Sequence, residues 1–150
     1  MNENAKAWVA ALRSGKWQQA RSALRKVEND TFSFCCLGVA SEISKTGEWV
    51  GECFQDREQS AETAKRISGK AFCDDCESEV ETGLDIACNH VVKAEEFAAP
   101  LVQKWLGMVS EDGDLMLDGK RTSLALLNDA GKSFAEIADV IVANQDQLFE

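Results

Sequence analysis

The stretch AFCDDCESEVETGLDIACNHVVKAEEF, residues 71–97, holds Cys73, Cys76, Cys88 and the one histidine of the chain, His90. A Cys-x2-Cys pair lets one tight turn present two thiolates to a tetrahedral ion. Cys88 and His90 supply two further ligands after an eleven-residue loop. Zinc held in this way contributes on the order of 10 kcal/mol to folding, enough to order a hydrophilic segment with little core. Four protein ligands close the coordination sphere, so the ion is expected to be structural rather than catalytic. Cys53 is an alternative fourth ligand in place of His90. The competing readings are reduced thiols without metal and a redox pair. The redox pair lacks the strand-then-helix setting of a thioredoxin-like motif.

A second candidate is Cys35-Cys36 within TFSFCCLGVASEIS. A thiolate at a helix N-terminus is stabilised by the helix dipole, which is how cysteine nucleophiles are often activated. A nucleophile also needs a base, and His90 is the one imidazole. Asn128 and Asp129 are available as orienting groups. Against catalysis, adjacent helical residues point about 100° apart, so both thiols cannot serve one site. Their neighbours are Phe34, Leu37 and Val39, and we read both cysteines as core residues. The motif LNDAGKSF around Asn128 and Asp129 is read first as a joint between helices, where Asn, Asp and Gly tolerate left-handed backbone. Trp8, Trp17 and Trp105 are expected to anchor the core. Trp49, flanked by Gly47, Glu48 and Gly51, is the tryptophan expected to lie exposed at an interface.

These groups need elements to hold them. Residues 1–15 read as a helix capped by Asn2 or Asn4, with Trp8, Val9 and Leu12 on one face and Gly15 as the stop. Lys16–Asp30 reads as a second helix, with Ala20, Ala23, Leu24 and Val27 on one side. Phe34–Ser44 reads as a central helix buried on several sides and ended near Gly47. Gly38 within it costs about 1 kcal/mol of helix propensity, which implies that another backbone packs closely there. Residues 48–97 read as an irregular, acidic, cysteine-rich insertion, with a short helix in SAETAKRIS stopped by Gly69. Pro100 opens a short helix closed by Gly107. Asp118-Gly119 marks a hairpin near 114–122. Leu124–Ala130 forms a short helix closed by Gly131. A last helix over 133–149 starts in a capping box of Ser133 and Glu136, with Phe134, Ile137, Ala138, Ile141 and Leu148 at helical spacing. The fold class expected is mainly α, one small helical domain of 150 residues with one hairpin and an acidic middle.

The net charge of −10 is uneven. Residues 1–47 carry seven Lys/Arg against four Asp/Glu, residues 48–97 five against thirteen, and residues 98–150 four against nine. Such a surface repels phosphate backbones, so direct nucleic-acid binding is not expected. It suits a basic groove on another protein, including one that normally holds DNA or RNA; the plainer alternative is that it only maintains solubility. Trp49 with Asp74, Asp75, Glu77, Glu79 and Glu81 is the candidate partner-binding set. No apolar run approaches the roughly 18–20 residues that span a bilayer. The first residues lack the apolar core and small-residue cleavage site of a signal peptide. A cytoplasmic location, with thiols kept reduced, is therefore expected.

The segments RSGKWQQARSALR, FCCLGVASEI, LVQKWLGM and LALLNDAGKSFAEIADVI, in this order, resemble a family of small proteins of phage and prophage genomes. The resemblance covers roughly residues 8–45 and 100–142 and implies a context rather than an activity. The family often has glycine near Ala20, which makes an extended arm the alternative to the second helix. Residues 53–90 lie outside the shared pattern. The expectation that follows is a non-enzymatic accessory protein that binds a host protein with a basic surface through its acidic middle. It would act as an anti-defence inhibitor that mimics nucleic acid. The alternatives are a cysteine-dependent enzyme using Cys35 or Cys36 with His90, or a structural zinc-knuckle interaction module.

Overall fold

The computed structural model describes residues 1–56, 71–73, 78–80 and 98–150. The first helix, α1, runs over Glu3–Arg13, with the Asn2 side chain accepting from the Ala5 amide at 2.8 Å. Its Ala5, Trp8, Val9 and Leu12 stripe is buried. The Trp8 indole N–H would be costly to bury without a partner, and it donates to the Cys36 carbonyl at 2.9 Å. Asn4 donates to the Trp105 carbonyl at 2.9 Å, which ties α1 to the distant C-terminal third.

The second helix does not form. Residues 18–20 are extended: the Phe34 amide donates to the Gln18 carbonyl at 2.8 Å and the Ala20 amide to the Phe34 carbonyl at 2.7 Å. A hairpin follows, β1 over Arg25–Glu28 and β2 over Thr31–Phe34. Asn29 and Asp30 between the strands both have positive φ, 48° and 61°, the requirement of a two-residue type I′ turn. Asn and Asp tolerate that conformation better than other side chains, and a helix through them would forfeit it. The helix formers upstream therefore lose to the turn.

The central helix, α2, runs over Cys36–Ser44 and is buried all round at its first six residues. It starts two residues later than expected, because Phe34 ends β2 and Cys35 is the N-cap. Lys45, in the left-handed region, stops it before Gly47. Gly38 is needed for a close approach: a Cβ there would sit 1.8 Å from the Leu24 carbonyl oxygen.

Part of the segment expected to be irregular is paired. Strands β3 (Gly47–Val50) and β4 (Cys53–Asp56) form a hairpin with Trp49 opposite Phe54. The backbones of β5 (Ala71–Cys73) and β6 (Ser78–Val80) form another, with Cys73 opposite Ser78. The helix expected over 60–68 lies outside the described residues.

In the C-terminal third, α3 (Pro100–Leu106) has Pro100 in its first turn and Gly107 as its left-handed cap. Strands β7 (Asp114–Leu117) and β8 (Lys120–Ser123) form the expected hairpin, turning at Asp118 and Gly119, both with positive φ. Helix α4 covers Leu124–Asp129 and α5 covers Phe134–Ala143, the latter with both bonds of the Ser133–Glu136 capping box. The closing helix is shorter than expected. Asn144 turns its side chain back onto the Val140 carbonyl at 2.9 Å, and a separate turn, α6 (Gln145–Leu148), follows.

Helix α1 packs on α2 and α5, and α2 packs on α3 and α4. Trp8, Leu37, Val39, Val102, Leu106, Leu124, Ile137 and Ile141 are fully buried between them. Among the described residues there are six helices and four two-stranded antiparallel hairpins, so strands are more abundant than a mainly α reading with one hairpin expects. No helix among the described residues is long and apolar enough to cross a membrane.

Candidate functional site

The start of α2 is where the reactive residue types meet the Leu-Asn-Asp motif. Cys35 caps the helix through sulfur, with the Gly38 amide donating to Sγ at 3.3 Å. Its side chain borders a surface cleft of about 330 Å³ that Ser22, Asp112, Ser123, Leu126 and Asp129 also line. Burial pushes the Cys35 thiol up to about 11; the Gly38 amide opposes the shift and Asp129 adds to it. Cys36 is fully buried, donates from Sγ toward the Leu124 carbonyl at 3.6 Å, and burial raises its pKa as well. Both sulfurs are thus held as thiols near neutral pH, the opposite of what a nucleophile needs. In the folded protein, iodoacetamide near neutral pH should leave Cys35 and Cys36 unmodified, and both should react once guanidinium unfolds the chain. Rapid labelling of either in the folded protein would contradict the structural role.

Asn128, expected to serve a local turn, does more. It is fully buried, and Oδ1 accepts from the Cys36 amide at 3.2 Å and from Gln19 Nε2 at 2.9 Å. Its Nδ2 donates to the Ala20 carbonyl at 2.8 Å. Asp129 Oδ1 accepts from the Ser22 amide at 2.8 Å. Gln19 also donates to the Lys132 carbonyl at 2.7 Å. One Asn-Asp pair therefore fastens the extended arm to the start of α2 and the end of α4. Gln19 carries no signal in the sequence, since its partners lie more than a hundred residues away.

A second cluster gathers at the two N-terminal hairpins. Trp49 is half-buried rather than exposed, and its indole N–H donates to Glu42 Oε2 at 2.6 Å. Its ring meets Phe34 and Phe54 edge-on, with centroids 5.9 and 5.0 Å apart. The Arg25 guanidinium stands 4.4 Å from the Trp49 ring centre and 4.6 Å from that of Phe32, and donates to the Gly51 carbonyl. Neither Arg25 nor Phe32 stands out in the sequence until the hairpin register is known.

Of the proposed zinc ligands, Cys73 ends β5 while Cys76, Cys88 and His90 lie outside the described residues. Cys53 opens β4, half-buried and opposite Val50. Of the acidic set, Glu79 pairs with Phe72 in the β5–β6 backbone, and Asp74, Asp75, Glu77 and Glu81 lie outside the described residues. Among the described residues, no three His, Cys, Asp or Glu side chains gather in a way that could hold a metal ion.

A model of the domain of unknown function DUF8296 matches residues 1–145. The chain belongs to the DUF8296 family. The match takes in both ends of the DUF8296 chain, from α1 to α5, and so includes both partners in each of the Asn128 contacts. No curated protein and no solved structure matches the chain.

Proposed function

We propose that this DUF8296 protein is a non-enzymatic accessory protein of phage or prophage that binds a basic surface on a host protein. In this reading it acts in the host cytoplasm as an anti-defence inhibitor that occupies a groove built for nucleic acid. The phage context rests on the resemblance of the Cys-Cys-Leu-Gly-Val and Leu-Asn-Asp segments. The observation that carries the binding mode is the charge of residues 48–97, five Lys/Arg against thirteen Asp/Glu. A field of that sign accelerates encounter with a basic groove and disfavours phosphate. The candidate contacts are Trp49, Asp74, Asp75, Glu77, Glu79 and Glu81. Burial of the Cys35 and Cys36 thiols favours binding over a cysteine-dependent reaction.

Capture from host lysate after nuclease treatment tests this. A basic host protein is expected on the immobilised chain at low salt. It should be lost at about 1 M salt, where the screening length falls to about 3 Å. Capture of no basic protein, or capture indifferent to salt, would count against the proposal.

The same reading gives the acidic segment a structural zinc ion held by Cys73, Cys76, Cys88 and His90, with Cys53 as the substitute for His90. Two residues separate Cys73 from Cys76, the Cys-x2-Cys spacing of a zinc-binding pair. Purified protein is expected to carry about one zinc per chain and to lose structure with chelator, because metal binding and folding are linked. Metal-free protein that chelator leaves unchanged would exclude the ion.

A further inference from the structure

We propose that the cleft between the starts of α2 and α4 binds a guanidinium or primary ammonium group carried on a short aliphatic stem. Its lining residues all lie outside 48–97, so this site is independent of the acidic middle.

The backbone brings three parts of the chain together there. The Ala125 amide donates to the Asp112 carbonyl at 3.2 Å and the Leu124 amide to the Gly113 carbonyl at 3.0 Å, which lays residues 112–113 along the start of α4. At the other end of that helix, the Ser22 amide on Asp129 brings the extended arm across. Cys35 enters from the cap of α2. The space left between them, about 330 Å³, is at the small end of ligand sites and holds one side chain or a small molecule. Ala23, Ala125 and Leu126 give it an apolar wall, and Leu126 is 61% exposed. Cys35 and Ser123, 4% and 1% exposed, line its deep end.

Charge decides the class of ligand. Two helix starts would attract an anion if their amides were free. Here those amides are occupied. The Cys36 amide donates to Asn128 Oδ1, that of Gly38 to Cys35 Sγ and that of Leu126 to Ser123 Oγ, while Leu124 and Ala125 use the carbonyls just named.

Two carboxylates line the space instead, Asp112 half-buried and Asp129 exposed. Asp129 uses Oδ1 for both the Ser22 amide and Asn128 Nδ2, and among the described residues nothing donates to its Oδ2. The Asp112 carboxylate likewise accepts no hydrogen bond and joins no ion pair among the described residues. Nor does any Lys or Arg line the cleft. Asp112 acts on the charge of Arg121, but that guanidinium is bonded to Asp114 at 2.8 Å. Lys132 Nζ stands 4.0 Å from Glu136, and the Arg21 guanidinium lies against Gly131. An incoming cation supplies the donors that both carboxylates lack, and its stem lies on the Ala and Leu wall as Lys and Arg stems do on apolar surface. The Ser22 and Ser123 hydroxyl oxygens offer lone pairs to the remaining N–H groups.

The test titrates n-butylguanidinium into the full-length protein and follows the backbone amides by NMR. Shifts centred on Ser22, Asp112, Ser123 and Leu126 are expected, with the millimolar affinity that suits so small a ligand. The neutral near-isostere n-butylurea and the anion butyrate should each bind about tenfold more weakly or worse. Asp112→Asn is expected to lower affinity about tenfold with the melting temperature unchanged, since this side chain holds no other element in place. Asp129→Asn keeps the oxygen that the Ser22 amide uses, and it should have the same effect on binding should the first variant fold poorly. A blocked Gly-Arg-Gly peptide and agmatine separate a partner's side chain from a free amine as the source: binding of either supports the site, and the tighter one identifies the source. Equal binding of n-butylurea or butyrate, unchanged affinity in both variants, or shifts confined to other surfaces each overturns the proposal.

Discussion

Gly38→Ala is expected to lower the melting temperature by roughly 10 °C, at about 2–4 °C per kcal/mol for a chain of this size. In an isolated helix the same change would be favourable by about 1 kcal/mol. Here the new methyl carbon would lie 1.8 Å from the Leu24 carbonyl oxygen and 2.7 Å from its carbon. Backbone atoms cannot rotate out of the way as a side chain can. Moving Leu24 back also stretches the bond its carbonyl accepts from the Cys35 amide at 3.1 Å. Overpacking of this kind costs about 3 kcal/mol or more, so the clash outweighs the gain in helix propensity. Thermal denaturation followed by circular dichroism measures it, and a melt within a degree or two of the parent would show that the two backbones do not meet there.

The second large effect belongs to Asn128→Leu, which keeps the branched shape of the side chain and removes both polar atoms. The Cys36 amide loses its acceptor and the Ala20 carbonyl its donor in a fully buried site. Each orphaned buried group costs about 1–3 kcal/mol, giving a total near 4 kcal/mol. Asn128→Asp is expected to be comparably destabilising, because it retains the acceptor but buries a charge without a partner. The two variants share a local signature. Amide hydrogen exchange at Ala20 and Phe34 should accelerate more than at Ile137 or Ile141 in α5, because the arm is released before the helical core. Unchanged protection at Ala20 would mean that Asn128 does not hold the arm.

These two residues also mark the boundary of what the sequence made legible. Gly38 carried its meaning locally: a glycine within an apolar helix implies a neighbouring backbone, and Leu24 is that neighbour. The Asp118-Gly119 turn, Pro100 and the Ser133–Glu136 box were readable for the same reason, since each motif is completed within a few residues. Asn128 carries only a turn signal in the sequence, because its partners, Gln19, Ala20 and Cys36, come from the other end of the chain. The extended arm and the β1–β2 hairpin failed for a related reason. Gln, Ala, Arg and Lys favour a helix when weighed singly, whereas the strand pairing that overrides them depends on Phe34 and on the Asn29-Asp30 turn. Cys35 as a helix cap was equally hidden, because sulfur seldom takes the place of Ser, Thr, Asp or Asn. At the candidate site, the burial of both thiols follows from their apolar neighbours, but the exposed Phe32 and the Arg25 bridge emerge only with the register.

Charge neutralisation of the acidic middle addresses the proposed binding mode most directly. Asp74→Asn, Asp75→Asn, Glu77→Gln, Glu79→Gln and Glu81→Gln, combined in one chain, remove five carboxylates without changing the cysteines or the helical core. Recovery of the basic host protein should fall about tenfold or more, as expected when complementary charge drives association, with the melting temperature of the core little changed. Undiminished recovery by the neutralised chain would mean that negative charge in this segment is not what the partner recognises.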